Sequence, residues 1–209
     1  MELIGRSVVC CLLFVVYCLL STISFSQVDS MASLKSGIAQ FNEGNFSGAQ
    51  INLSKAVELN PKNPDAFFYL AECSLLLNDT KASMANYNKA LELDSTSSRA
   101  YKGRGRVKAK LEDYYGSIED FTQAIKYNKK YADAYFNRAS SYLNIKDYKS
   151  AIADFSTEIK LNSKDYEAYS LRGKAKFDSG DKKGACLDWS KAGELGDTKI
   201  YDTIKKNCK

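Results

Sequence analysis

"SRAYKGRGRVKAKLEDYYGSIEDFTQAIKYNKKY", Ser98 to Tyr131, places a basic side chain at every second position from Lys102 to Lys110. Alternation of that kind first suggests a charged strand or a nucleic-acid-binding arm. The flanking sequence decides otherwise, because the stretch recurs in altered form every 34 residues. Tyr101, Tyr135 and Tyr169 keep that spacing, as do Phe121, Phe155 and Trp189. The chain then divides into five units in one register: 30–63, 64–97, 98–131, 132–165 and 166–199. A repeat of this length is one supersecondary element that buries its apolar face only by stacking on its neighbours.

Small residues recur inside each unit. The eighth position holds Gly37, Ala71, Gly105, Ala139 and Gly173, and the twentieth holds Ala49, Ser83, Ser117, Ala151 and Ala185. The twenty-seventh holds Ala56, Ala90, Ala124 and Ala192, broken by Glu158 in the fourth unit. Small side chains at these offsets let two helices approach closely while bulky residues at the fourth and twenty-fourth positions fill the remaining space. Turn-forming stretches such as "EGNF", "NDT" and "SGDK" fall between them. Each unit is therefore expected to be a helical hairpin, and the alternation on Tyr101–Lys110 becomes two stripes of a helix.

These residues resemble the tetratricopeptide repeat family over about 170 of the chain's 209 positions. The chain departs from the pattern at Ser33, at Glu158 and in keeping the late proline only as Pro61. The resemblance implies an all-α, right-handed helical solenoid of five helix-turn-helix repeats plus a C-terminal capping helix, here over residues 200–209. It also implies that the first helix of each repeat lines a concave groove through its fifth, ninth and thirteenth positions. Those positions hold Lys102, Arg106 and Lys110 in the third repeat, with Arg99 one turn earlier. Phe68 and Phe136 hold the fifth position of repeats two and four, Asn137 the sixth of repeat four and Lys174 the ninth of repeat five. The carboxylate clamp of some family members is matched by Lys102 and Asn137 but not at Arg106, Glu167 or Leu171, so the clamp is incomplete.

The second stripe has a structural reading. Arg104, Arg138 and Arg172 at the seventh position accompany Asp120, Asp154 and Asp188 at the twenty-third, whereas repeats one and two lack both charges. That correlation within one chain predicts a bridge between the two helices of a hairpin, because a half-buried guanidinium is well matched by a carboxylate.

Residues 1–26 differ from the rest. Ser7 to Phe25 carry no charge, and Ser24 and Ser26 supply small residues before Gln27, the pattern of a cleaved signal peptide. An uncleaved membrane anchor is the alternative, and residues 27–29 read as a short linker. Either reading makes the remainder exported, to the periplasm or cell envelope. Of the six cysteines, Cys73, Cys186 and Cys208 lie beyond that segment. Export permits a disulfide, and a chain reversal near Gly196 would bring Cys186 and Cys208 to similar heights on antiparallel helices. Two buried thiols are the alternative, and Cys73 reads as a small core residue.

Catalytic chemistry is not indicated. The chain has no histidine, no CxxC pair and no glycine-rich phosphate loop, and its carboxylates follow the repeat. No enzyme activity, cofactor or metal is expected. A net charge of +5, with acidic residues interspersed, falls short of a nucleic-acid footprint. The expected partner is a protein or peptide held in the groove, the basic face being either a site for its acidic groups or merely solvated, and membrane contact is expected only if the N-terminal segment stays uncleaved. The alternative function is a structural subunit of an envelope or secretion assembly packing through convex or end surfaces.

Overall fold

The computed structural model describes residues 27–208, so the leader or anchor expected over 1–26 lies outside the described residues. Eleven helices and no strand occur among them. Helix α1 covers residues 27–42. It is followed by α2 (Phe46–Leu59), α3 (Pro64–Leu76), α4 (Thr80–Leu93), α5 (Ser98–Lys110) and α6 (Tyr114–Tyr127). Helices α7 (Ala132–Asn144), α8 (Tyr148–Leu161), α9 (Tyr166–Asp178), α10 (Lys182–Glu194) and α11 (Ile200–Asn207) complete the chain. Residues 27–29, expected as a linker, already belong to α1, since Gln27, Val28 and Asp29 contain neither the glycine nor the proline that would stop a helix.

The chain forms two compact units, one ending at Ser95 and the other beginning at Thr96. In the first, α1 pairs with α2 and α3 with α4. Leu53, Leu70 and Cys73 are buried between them, and Phe41 packs edge-on against both Phe46 and Tyr69. In the second, the hairpins α5–α6, α7–α8 and α9–α10 stack in chain order and α11 closes on α10. Helices α5, α7 and α9 neighbour one another along one side of this unit.

The inner contact of every hairpin sets the eighth residue of a repeat against the twenty-fourth. Leu53, Tyr87, Phe121, Phe155 and Trp189 fill the twenty-fourth position, all at most 3% exposed. A Cβ added at Gly105 would come within 2.8 Å of the Phe121 ring, and one at Gly173 within 2.6 Å of Trp189. The indole of Trp189 is fixed as well, because its Nε1 donates to the Ser170 carbonyl at 3.1 Å. Glycine at position 173 thus lets a helix backbone lie directly on an aromatic ring.

Each second helix is started by a side-chain cap at one fixed position of the repeat. Asn45, Asp79, Asp113, Asp147 and Asp181 accept hydrogen bonds from the backbone N–H of Gly48, Ala82, Gly116, Ser150 and Gly184. These bonds satisfy amides that the first turn leaves without a partner. The residue before each cap has positive φ, held by glycine at Gly44 and Gly180 and by Asn78, Glu112 and Lys146 elsewhere.

Replacing Gly173 with Ala should destabilise the fold by about 1–3 kcal/mol, the usual cost of forcing a methyl into a filled core. Chemical denaturation of the variant measures it. Unchanged stability would mean that the Trp189 ring shifts without cost.

Candidate functional site: the first helices of the second unit

Helix α5 contains no acidic residue, and its six cations separate by helical phase. Arg104 and Lys108 turn inward. The Arg104 guanidinium grips Asp120 with two bonds, Nε to Oδ2 at 2.8 Å and Nη2 to Oδ1 at 2.7 Å. Lys108 Nζ lies 3.0 Å from Oδ2 of the same carboxylate. The next hairpins repeat the motif. Arg138 holds Asp154 at 2.7 and 2.9 Å, and Arg172 holds Asp188 at 2.9 and 2.7 Å, with Lys176 added at 2.8 Å. All three carboxylates are buried, and bidentate pairing is what keeps such a charge satisfied. The bond to Asp120 pushes the Arg104 pKa upward despite its burial.

A tyrosine ring lies beside each arginine, and two of the arginines also reach the preceding hairpin. The guanidinium carbons of Arg104, Arg138 and Arg172 lie 5.6, 5.7 and 5.5 Å from the rings of Tyr101, Tyr135 and Tyr169. Arg138 Nη1 also donates to Thr122 Oγ1 of the preceding hairpin at 2.9 Å, and Arg172 Nη1 to Ser156 Oγ at 3.0 Å. The arginines therefore tie both the helices of one hairpin and successive hairpins. Periodic Tyr101, Tyr135 and Tyr169 could have suggested the ring contact. Lys108 and Lys176 at the eleventh position, and Thr122 and Ser156 at the twenty-fifth, recur in the same register and carried a weaker signal of their shared roles.

The other stripe of α5 holds Arg99, Lys102, Arg106 and Lys110. Lys102 is half-buried, 3.4 Å from Asp133 and 5.0 Å from the centre of the Tyr131 ring. Arg106 is half-buried and Lys110 exposed. On α7, Phe136 is partly buried with its ring edge-on to Phe155 at 5.6 Å, so much of it serves the core. Asn137 turns its amide back to its own helix, donating to the Asp133 carbonyl at 2.6 Å. Lys174 on α9 is exposed and pairs with Asp178 at 2.8 Å. Phe68 belongs to the first unit, where its ring meets those of Tyr69 and Tyr87 at 5.2 and 6.1 Å. The structure thus gathers Lys102, Arg106 and Lys110 on α5 and places Asn137 and Lys174 on the neighbouring helices, each already engaged locally.

At the C-terminal end, Cys186 and Cys208 are disulfide-bonded with Cα atoms 5.7 Å apart. The bond pins α11 over Ala185, Trp189 and Ala192, which Ile200 and Ile204 also cover. Cys73 is buried and unbonded, and burial together with nearby Glu72 pushes its thiol up to about 11. Such a thiol is inert. No group of three or more His, Cys, Asp or Glu side chains able to hold a metal occurs among the described residues.

Arg138→Ala and Asp154→Ala should each destabilise, and the double variant should cost less than their sum, with a coupling of about 1 kcal/mol. Additive losses in denaturant unfolding would mean that the bridge contributes no pairwise energy.

Comparison with known proteins agrees with this geometry. No curated protein matches the chain. Among solved structures, a MamA protein superposes with a TM-score of 0.73 at 23% identity, covering 83% of this chain and 94% of that one. YrrB gives 0.75 at 17% identity, covering 89% and 96%. PilF of Pseudomonas aeruginosa gives 0.73 at 20% identity, covering 82% and 78%. At these identities the likeness is one of fold. The sequence model of the tetratricopeptide repeat matches residues 34–98 and 102–166, more than half of the chain. With the hairpins and their recurrent contacts, that match makes the chain a member of the tetratricopeptide repeat family.

Proposed function

We propose that this protein is a non-catalytic interaction scaffold whose second unit binds an acidic, extended segment of another protein across α5, α7 and α9. The observation that carries the reading is the division of charge on α5. Arg104 and Lys108 are committed to Asp120, while Arg99, Lys102, Arg106 and Lys110 share the opposite face of a helix without an acidic residue. A fold needs the first set. The second set gathers four cations on one face, which suits carboxylates of a ligand. Phe136 supplies an apolar edge beside it, and Lys174 a further cation on α9. The solved structure of YrrB is described as a tetratricopeptide protein with an unusual peptide-binding site, which favours a peptide as the class of ligand.

The site of action follows from two features. The uncharged stretch Ser7–Phe25 has the character of an export signal or anchor, and the Cys186–Cys208 bond suits an oxidising compartment. We place the protein in the periplasm or cell envelope on that basis. An assembly subunit packing through its second helices is the other reading, and it would draw on exposed Tyr115 and Leu187, 71% and 66% accessible.

Fluorescence anisotropy with fluorescein-labelled hexa-aspartate, and hexa-lysine as control, tests the groove. Arg106→Glu should weaken hexa-aspartate binding by about 1–3 kcal/mol with little change in stability. Equal affinity of the folded variant and the parent for hexa-aspartate would contradict the proposal.

A further inference from the structure

Glu158 on α8 breaks a rule that the other repeats keep. Its position is alanine in the rest, Ala56, Ala90, Ala124 and Ala192, all buried in helix contacts. Glu158 is equally enclosed, at 2% exposure, and its Oε2 is buried with no hydrogen-bond partner. Its carboxyl faces the side chain of Asp165, close enough for the two to interact. Asp165 is the N-cap of α9, where its Oδ1 accepts from the N–H of Glu167 at 2.9 Å and of Ala168 at 3.2 Å. Two carboxyl groups can hydrogen-bond each other only through a proton. Enclosure of Glu158, with one oxygen buried and unpartnered, favours its neutral acid as the donor. The pairing is peculiar to this repeat, since the residues corresponding to Asp165 are Asn63, Ser97 and Tyr131.

We propose that Glu158 and Asp165 form a proton-held joint that fixes the start of α9 and releases it as the proton is lost, making the α9 wall of the groove sensitive to pH. The device regulates the groove assigned above and rests on that reading for its purpose, though not for its operation. The charged groups that face Glu158 are Asp165 at the start of α9 and Asp133 at the start of α7, both carboxylates, the second of them paired with Lys102. Loss of the proton therefore removes the donor between the two carboxyls and sets like charges together at a helix end. What lies above that end is open. Tyr166, Glu167, Ser170 and Leu171 form one side of a cleft of about 370 Å³, with Gly196–Lys199 on the other. Asp133 also holds Lys102 at 3.4 Å, so the same carboxyl cluster reaches the basic stripe of α5.

Burial, reinforced by Asp165 and Asp133, raises Glu158 from 4.5 to about 7. An acid whose pKa is higher in the closed form than in the opened one favours closure most below the opened value. The advantage is lost progressively between about 4.5 and 7 and stays lost above that. Local opening of the α9 start should then rise up to about tenfold per pH unit in that window and level off beyond it.

Hydrogen exchange of the backbone amides of residues 167–170, corrected for the intrinsic pH dependence of exchange, tests this without any ligand. In the protein the corrected rate should rise by about fortyfold between pH 5 and pH 7 and only about twofold more by pH 8.5. Glu158→Gln keeps a donor to Asp165 at every pH and should abolish the rise, as should Glu158→Ala, the residue of the sister repeats. A flat profile in the parent protein, or the same rise in both variants, would overturn the joint. Failure of hexa-aspartate binding alone would instead strike the groove reading and leave this profile unchanged.

Discussion

Each hairpin depends on a place where one helix offers almost no side chain. The eighth residue of a repeat is glycine or alanine because a Leu, Tyr, Phe or Trp from the second helix occupies the space its side chain would take. That contact brings the helix backbones close enough for the remaining interactions to form. With the helices held together, the seventh-position arginine can reach the twenty-third-position aspartate, and its second nitrogen can reach the previous hairpin. Stacking energy and polar satisfaction are consequences of the same close approach.

The arginine bridges also divide the surface of α5 into two stripes. A helix with six cations and no acidic residue is costly to pack unless its charges are separated by role. The inward stripe is neutralised by Asp120 at hydrogen-bonding distance. The outward stripe gathers four cations on one face of the helix, and the proposed binding role rests on that grouping. Local engagement of Asn137 and Lys174 with their own helices narrows the proposed site toward α5 itself.

Much of this architecture was legible in the sequence because it is periodic. Tyr101, Arg104, Gly105, Asp120 and Phe121 repeat at one spacing, and a spacing that survives several units can only reflect a shared contact. The helix caps were equally periodic, at Asn45, Asp79, Asp113, Asp147 and Asp181, yet in the sequence they appeared only as polar turn residues. What periodicity could not supply was the behaviour of residues present once. Nothing in the sequence tells that Asn137 bonds back to its own helix, or that the expected linker is already helical. Glu158 was visible as a misfit, but its meaning required knowing that the cap of the next helix is a carboxylate within reach. Side-chain choice among several near partners depends on distances of an ångström or less, which the spacing of letters does not encode.

The central claim is that the outward stripe of α5 is the binding face. Titrating unlabelled hexa-aspartate into ¹⁵N-labelled protein and following backbone amide shifts locates the contact directly. The account predicts the largest shifts along α5 around Lys102, Arg106 and Lys110, extending to the facing side of α7, with second helices unaffected. Shifts concentrated on α6 and α10 around Tyr115 and Leu187, or none at saturating peptide, would contradict it.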